Sequence, residues 1–553
     1  MNLHRRTSLC LGLALLCCCN FSSAQDSGLS EITLATQFRI AGTVVNKISG
    51  APLAQTRVTI SDVKHPNAVR SMVTSENGHF EFGQLGQGKY SLQGARRGFV
   101  GAAYDQHEQY STAIVTGASI DTENLILRLN PSALVSGTVL DESGEPVRQA
   151  TVSLYRESHN EGTSRVVQVS GTITDDLGSY EFPFLVPGNY FVSATAKPWY
   201  AVHPASSGGQ GTSGFPAAVD RSLDVAYPAT YYGDTTDPDQ APPIPLKGGD
   251  HLAIQIRLAP VPALHLRFHV SDDGQRGFSM PTLGRKAFDS DQYIPSDGLQ
   301  SISPGVYEMT GVPAGEYSVR AGGGSGSHTL NNVDLVNDGQ EVDIANGETV
   351  SGVQATVQIL GQKELPAELR IGLSDGHRNV VTTKTTDAKG EVRFDDVEPG
   401  KYAVLAWSSG KAYAVTRVSS HGSDMPGHTL NVVAGSAPAD IVITLVTGTT
   451  NVEGVASHAG KGAPGAMIVL VPEDPENHRE LFRRDQSDLD GSFNLPNVVP
   501  GTYTVLAIEN GWDLDWSQPA VIVQYAKHAQ SLKVPAQAQD SVHVPAPVEI
   551  QPR

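Results

Sequence analysis

Cysteine is confined to one end of this 553-residue chain: Cys10, Cys17, Cys18 and Cys19 are all there are. The stretch around them, MNLHRRTSLCLGLALLCCCNFSSAQ, has a basic start (Arg5, Arg6), an apolar run from Leu9 to Cys19, and small residues at Ser22 and Ala24. It reads as a secretory signal with cleavage expected after Ala24. Its apolar run is too short to span a bilayer, and Leu16 before Cys17 does not suit a lipid anchor. The mature chain then carries no thiol, which excludes disulfides, thiol catalysis and cysteine-ligated zinc in an oxidising compartment.

Positive charge is also scarce. Lys and Arg number 39 against 58 Asp and Glu, and removing the two arginines of the signal takes the net charge from −19 to −21. A chain of that sign does not bind nucleic acid or anionic lipid through bulk charge. Beyond the signal no apolar run is long enough for a transmembrane helix, and helical apolar periodicity is sparse.

Catalytic spacings are missing as well. None of the 17 histidines opens an H-x-x-E or H-E-x-x-H, and there is no G-x-S-x-G. GQLGQGKY (83–90) approaches a phosphate loop at Gly83, Gly88 and Lys89, but Tyr90 replaces the magnesium-binding hydroxyl and a strand follows. QSDLDGSFNLPN (486–497) puts Asp488, Asp490 and Gly491 on calcium-loop positions, yet Gln486 and Asn497 hold its two ends. Asp234, Asp237 and Asp239 cluster in another loop. His265 and His269 on one strand are about 13 Å apart, too far to share an ion. His421 and His428 lie in one loop, and no metal-ligand spacing is read there. No cofactor, metal or catalytic residue is expected.

What is abundant is glycine and proline, 56 and 34 residues, and they recur in register. DLDGSFNLPNVVPGTYTV (488–505) repeats as SENGHFEFGQLGQGKYSL (75–92), DDLGSYEFPFLVPGNYFV (175–192) and DAKGEVRFDDVEPGKYAV (387–404), with a degenerate copy at 305–319. A turn glycine precedes a strand whose apolar residues alternate, as in Phe80/Phe82 and Phe493/Leu495. Pro-Gly then connects to a returning strand led by Tyr90, Tyr190, Tyr402 or Tyr503. Further strand–turn–strand units recur upstream (40–60, 135–154, 452–470) and downstream (114–129, 244–258, 432–445). A unit of six or seven short strands over ~90–130 residues is an antiparallel sandwich.

These units resemble the carboxypeptidase regulatory-like domain, a transthyretin-like, carbohydrate-binding-like β-sandwich. The likeness is clear in modules one, two and five and weaker in four and three. It implies an all-β protein of about five tandem antiparallel sandwiches in a semi-rigid string, and a domain that accompanies enzymes without itself being catalytic. The expected division is a signal at 1–24, a linker at 25–37, modules at 38–130, 131–259, 260–359, 360–447 and 448–537, and a disordered tail at 538–553.

Candidate ligand-binding residues are aromatic. The excursion 196–243 in module two carries Trp199, Tyr200, Phe215, Tyr227, Tyr231 and Tyr232, and module five adds Trp512 and Trp516 beside Asp513 and Asp515. Module one has a shorter counterpart with Phe99, Tyr104 and Tyr110. Rings among acidic and amide groups suit the C–H faces and hydroxyls of sugars. The competing reading is that they cap a sandwich end or seal a contact between modules. The sequence therefore points to a non-catalytic secreted, periplasmic or outer-surface binding or scaffold protein, with a glycan or an envelope protein as partner; the alternative is a spacer or an accessory of a secreted enzyme.

Overall fold

The computed structural model describes residues 38–553, apart from 118–119, 204–219, 270–280, 295–297, 322–327, 345–347, 350, 361, 363, 375–379, 398, 409–410, 426–427, 434–439, 477 and 536–540. The signal, the linker and Phe215 lie outside the described residues.

The chain is all-β and modular. In module one, Phe38–Asn46 lies between His79–Leu85 and Leu125–Leu129 in one sheet. The facing sheet runs Val69–Val73, Arg57–Asp62, Gly88–Ala95, with Ile114–Thr116 at the far edge. Module two repeats this with Ala133–Leu140 central in one sheet and Thr151–Ser158 beside Gly188–Thr195 in the other. Alternation places Ile40, Val44, Phe80, Phe82, Leu127 and Leu129 between the sheets of module one. Five separate apolar clusters, one per module, bury the cores.

The repeated Pro-Gly-x-Tyr has a physical explanation. The Tyr90, Tyr190, Tyr317 and Tyr503 hydroxyls donate to the carbonyls of Gly86, Val186, Pro313 and Val499, each four residues back. The ring folds across the turn and passes close to the glycine: a Cβ on Gly501 would sit 3.3 Å from the Tyr503 ring. Tyrosine and glycine at this spacing thus close the hairpin with one buried hydrogen bond.

Three findings depart from the expectation. First, each sandwich contains a parallel pair, its first strand beside its last, as with Gly42–Asn46 against 125–129 and Leu134–Leu140 against 251–257. Glycine is needed where these strands meet, since a Cβ on Gly137 would lie 2.0 Å from the Ile254 carbonyl oxygen. Second, Ser351–Ile359, assigned from sequence to module three, pairs with Glu391–Val397 and Ile441–Thr447 and so opens module four. Third, residues 541–553 of the tail contain strands. Val542–His543 and Val548–Gln551 pair parallel to Thr450–His458, and Val548 is fully buried. Its apolar residues supply module five with its closing strand, which composition alone concealed.

Candidate functional site

Modules one, two and five meet in a junction, an arrangement that the expectation of a string of sequential neighbours did not include. The fifth module folds back onto the first two. Its strand Met467–Pro472 is buried along its whole length, because the second face of that sheet is also covered. Trp512, Trp516, Phe482 and Tyr525 form the cover, with Tyr110 of module one packed against them.

Arg484 is the centre of this junction. Its side chain is 2% exposed and pairs with Glu108 of module one. Its guanidinium lies 4.7 Å from the Trp516 ring, 5.0 Å from Tyr110 and 5.5 Å from Trp512. His107 stacks on Trp512 at 4.9 Å and 5°. With its amide turned to satisfy both ends, Asn160 of module two donates to Glu108 at 2.6 Å. Glu108 is held there by a loop in which Asp105 and Glu108 both adopt positive φ, near 50°.

Polar contacts extend the junction to both sides. Toward module one, Lys89 Nζ lies 2.6 Å from Asp488 and donates to the Ser492 hydroxyl at 2.9 Å. Asp488 also accepts from the Ala113 N–H, and Gln486 donates to the Asp105 carbonyl at 2.7 Å. Burial pushes the Asp488 carboxyl up, an effect that Lys89 opposes without cancelling. Toward module two, Trp516 Nε1 donates to the His159 carbonyl at 3.0 Å, and Asp515 accepts from the Ser164 N–H at 2.7 Å.

Asp488 corrects the reading of its motif. In modules two and four the matching Asp175 and Asp387 cap their own turns, accepting from the N–H groups two and four residues on. In module five Asp490 caps instead, accepting from the Ser492 N–H. That frees the Asp488 side chain for module one. Lys89, noted above in the near-miss phosphate loop, is its partner.

The candidate aromatic residues are not gathered into one surface. Trp199 is 87% exposed and meets Tyr200 edge-on at 5.8 Å. Tyr200 and Tyr232 are half-buried, while Tyr227, Tyr231, Trp512 and Trp516 are buried. Tyr200 and Tyr227 both donate to the Glu142 carboxylate, Tyr227 at 2.7 Å. Burial pushes that carboxyl up, but the two hydroxyls outweigh it and hold it below the usual range. The Glu142 hydrogen bond in turn pushes Tyr200 up to about 12. Tyr231 packs with Tyr155 against Phe288 of module three, whose ring is 5.4 Å away. The excursion of module two thus fastens module three, as the loops of module five fasten modules one and two.

Residues 39–122 and 134–206 match the carboxypeptidase regulatory-like domain. Modules one and two are regulatory-like domains. Residues 346–421 and 438–534 match the second β-sandwich domain of BOS complex subunit NOMO1-like proteins. Among curated proteins, the chain is 28% identical over 151 residues to serine-aspartate repeat-containing protein D of Staphylococcus aureus (strain Newman), covering 24% of this chain. The match spans only 11% of the length of that relative. Among solved structures, the Bacillus anthracis TIE protein aligns over 96% of this chain and 75% of its own, at 12% identity and a TM-score of 0.17. A streptococcal ancillary pilin aligns over 53% of this chain and 100% of its own, at 13% identity and a TM-score of 0.18. The regulatory-like modules thus sit on the face of the junction that receives module five.

Among the described residues no helix is long and apolar enough to cross a membrane.

Proposed function

We propose that the protein is an extracytoplasmic, non-catalytic scaffold whose modules are held in a fixed arrangement to engage a protein partner of the cell envelope. The observation that carries this reading is the Arg484 junction. A buried charge ringed by three aromatic side chains from two modules fixes relative orientation, which a passive spacer does not need. The regulatory-like modules support a non-catalytic role, and the signal-like N-terminal sequence supports export. Small-angle scattering of the full chain tests the arrangement: a compact particle is expected, and an extended rod of five modules refutes it. Turnover of peptide, ester or glycoside substrates would refute the non-catalytic part.

A glycan is the second ligand proposed, at Trp199 with Tyr200 beside it. The exposure of this indole and the carboxylate of Glu142 behind the tyrosine favour it. Binding on a glycan array that disappears in Trp199→Ala supports it; no binding by the folded wild type refutes it.

A further inference from the structure

Sequence reading left His428 without partners because those it has are some fifty residues away on the next module. His428 follows the short strand Ser423–Asp424 of module four. His478 and Glu480 belong to the start of the one-turn helix Arg479–Leu481 of module five. The fold brings the three together so that one ligand atom from each lies within 4.8 Å of the other two. Glu480 Oε1 is 3.3 Å from His478 Nδ1 and 3.9 Å from His428 Nδ1. The imidazole rings are 4.7 Å apart, tilted by 49°.

The geometry points to a divalent cation of the zinc class, held by His428, His478 and Glu480 and joining module four to module five. Two imidazoles and a carboxylate are the donor set that such ions take, with bonds of about 2.0–2.2 Å. Tetrahedral ligands at that bond length are about 3.3 Å apart. One pair already has that spacing, and the others reach it by closing side chains at the surface between two modules.

Two further observations favour an ion over a simple histidine cluster. His428 Nδ1 is buried and makes no hydrogen bond. Finally, Ala414 and Val446 of module four pack against Val499 and Leu481 of module five, an apolar contact adjoining Glu480. The three ligands leave a fourth position for water, so the site is a cross-link with one exchangeable ligand.

The inference does not depend on the scaffold reading. It is tested by titrating the full chain with zinc chloride in a calorimeter, and with cobalt(II) while recording its visible absorption. One equivalent should bind, a tetrahedral cobalt band should appear, and zinc should raise the melting temperature. His478→Ala and Glu480→Gln should each weaken binding by at least about tenfold. Glu480→Gln keeps the shape of the side chain, so it separates loss of a ligand from loss of fold. His203→Ala, at a histidine–carboxylate contact within module two, should leave binding unchanged. Absence of stoichiometric binding by folded wild type overturns the inference. So does unchanged affinity in both ligand variants, or loss of binding in His203→Ala.

Discussion

Replacing Glu108 with glutamine removes the carboxylate that pairs with Arg484 and leaves every aromatic contact in place. The Arg484 side chain is 2% exposed and Glu108 20%, so water cannot stand in for the lost charge without opening the junction. Breaking a buried pair from one side costs about 3–5 kcal/mol, because an uncompensated charge remains. The cation–π contacts are present in wild type and variant alike, so they do not offset it. A loss of about 3–5 kcal/mol for docking module five is therefore expected. The decisive comparison adds Arg484→Met. With the charge gone and a flexible apolar side chain among Trp512, Trp516 and Tyr110, the double variant should recover most of the loss. Urea unfolding followed by tryptophan fluorescence reads this directly, since two of the chain's four tryptophans line the junction. If Glu108→Gln falls within about 0.5 kcal/mol of wild type, or the double variant is no better than the single, the charge pair does not hold the junction.

Two other perturbations test other levels of the structure. Tyr503→Phe strands the Val499 carbonyl while keeping the ring, and module five should lose about 1–3 kcal/mol in chemical denaturation. Asp485 is pushed up to about 6, mainly by burial. A carboxyl whose folded pKa is raised favours folding fully below its unfolded value of 3.8, and that gain is lost as pH rises through about 6. The melting temperature of module five should thus rise between pH 7.5 and pH 5, and Asp485→Asn should flatten the rise; a variant with the wild-type pH profile removes Asp485 as its source.

The sandwich was legible because its signals are local. A turn glycine, alternating rings, Pro-Gly and a tyrosine four residues past a carbonyl sit within eighteen residues of one another, as in 488–505, and repeat along the chain. The junction was not legible because its signals are paired across hundreds of residues. Lys89 and Asp488 are 399 positions apart, and nothing near either names the other. Asp175, Asp387 and Asp488 occupy one position of one motif, yet two cap turns and the third crosses to another module. What separates them is Asp490, which takes over the cap, and only the folded arrangement gives that substitution a meaning. The aromatic excursions stand outside the repeat in sequence. Their surroundings depend on which module lies opposite, which composition does not encode.

The parallel pairing of first and last strands has a mechanical side. In module two the chain enters along Ala133–Leu140 and leaves along His251–Arg257, seven residue pairs side by side and pointing the same way. Tension along the chain therefore pulls these neighbours in opposite directions along their common axis. Their cross-strand hydrogen bonds are loaded together, in shear, instead of opening one at a time from an end. Module one holds five such pairs and module five only short runs of two. Stretched from its ends, the chain should yield at the third module, which holds three such pairs, and at the fifth before the first two give way.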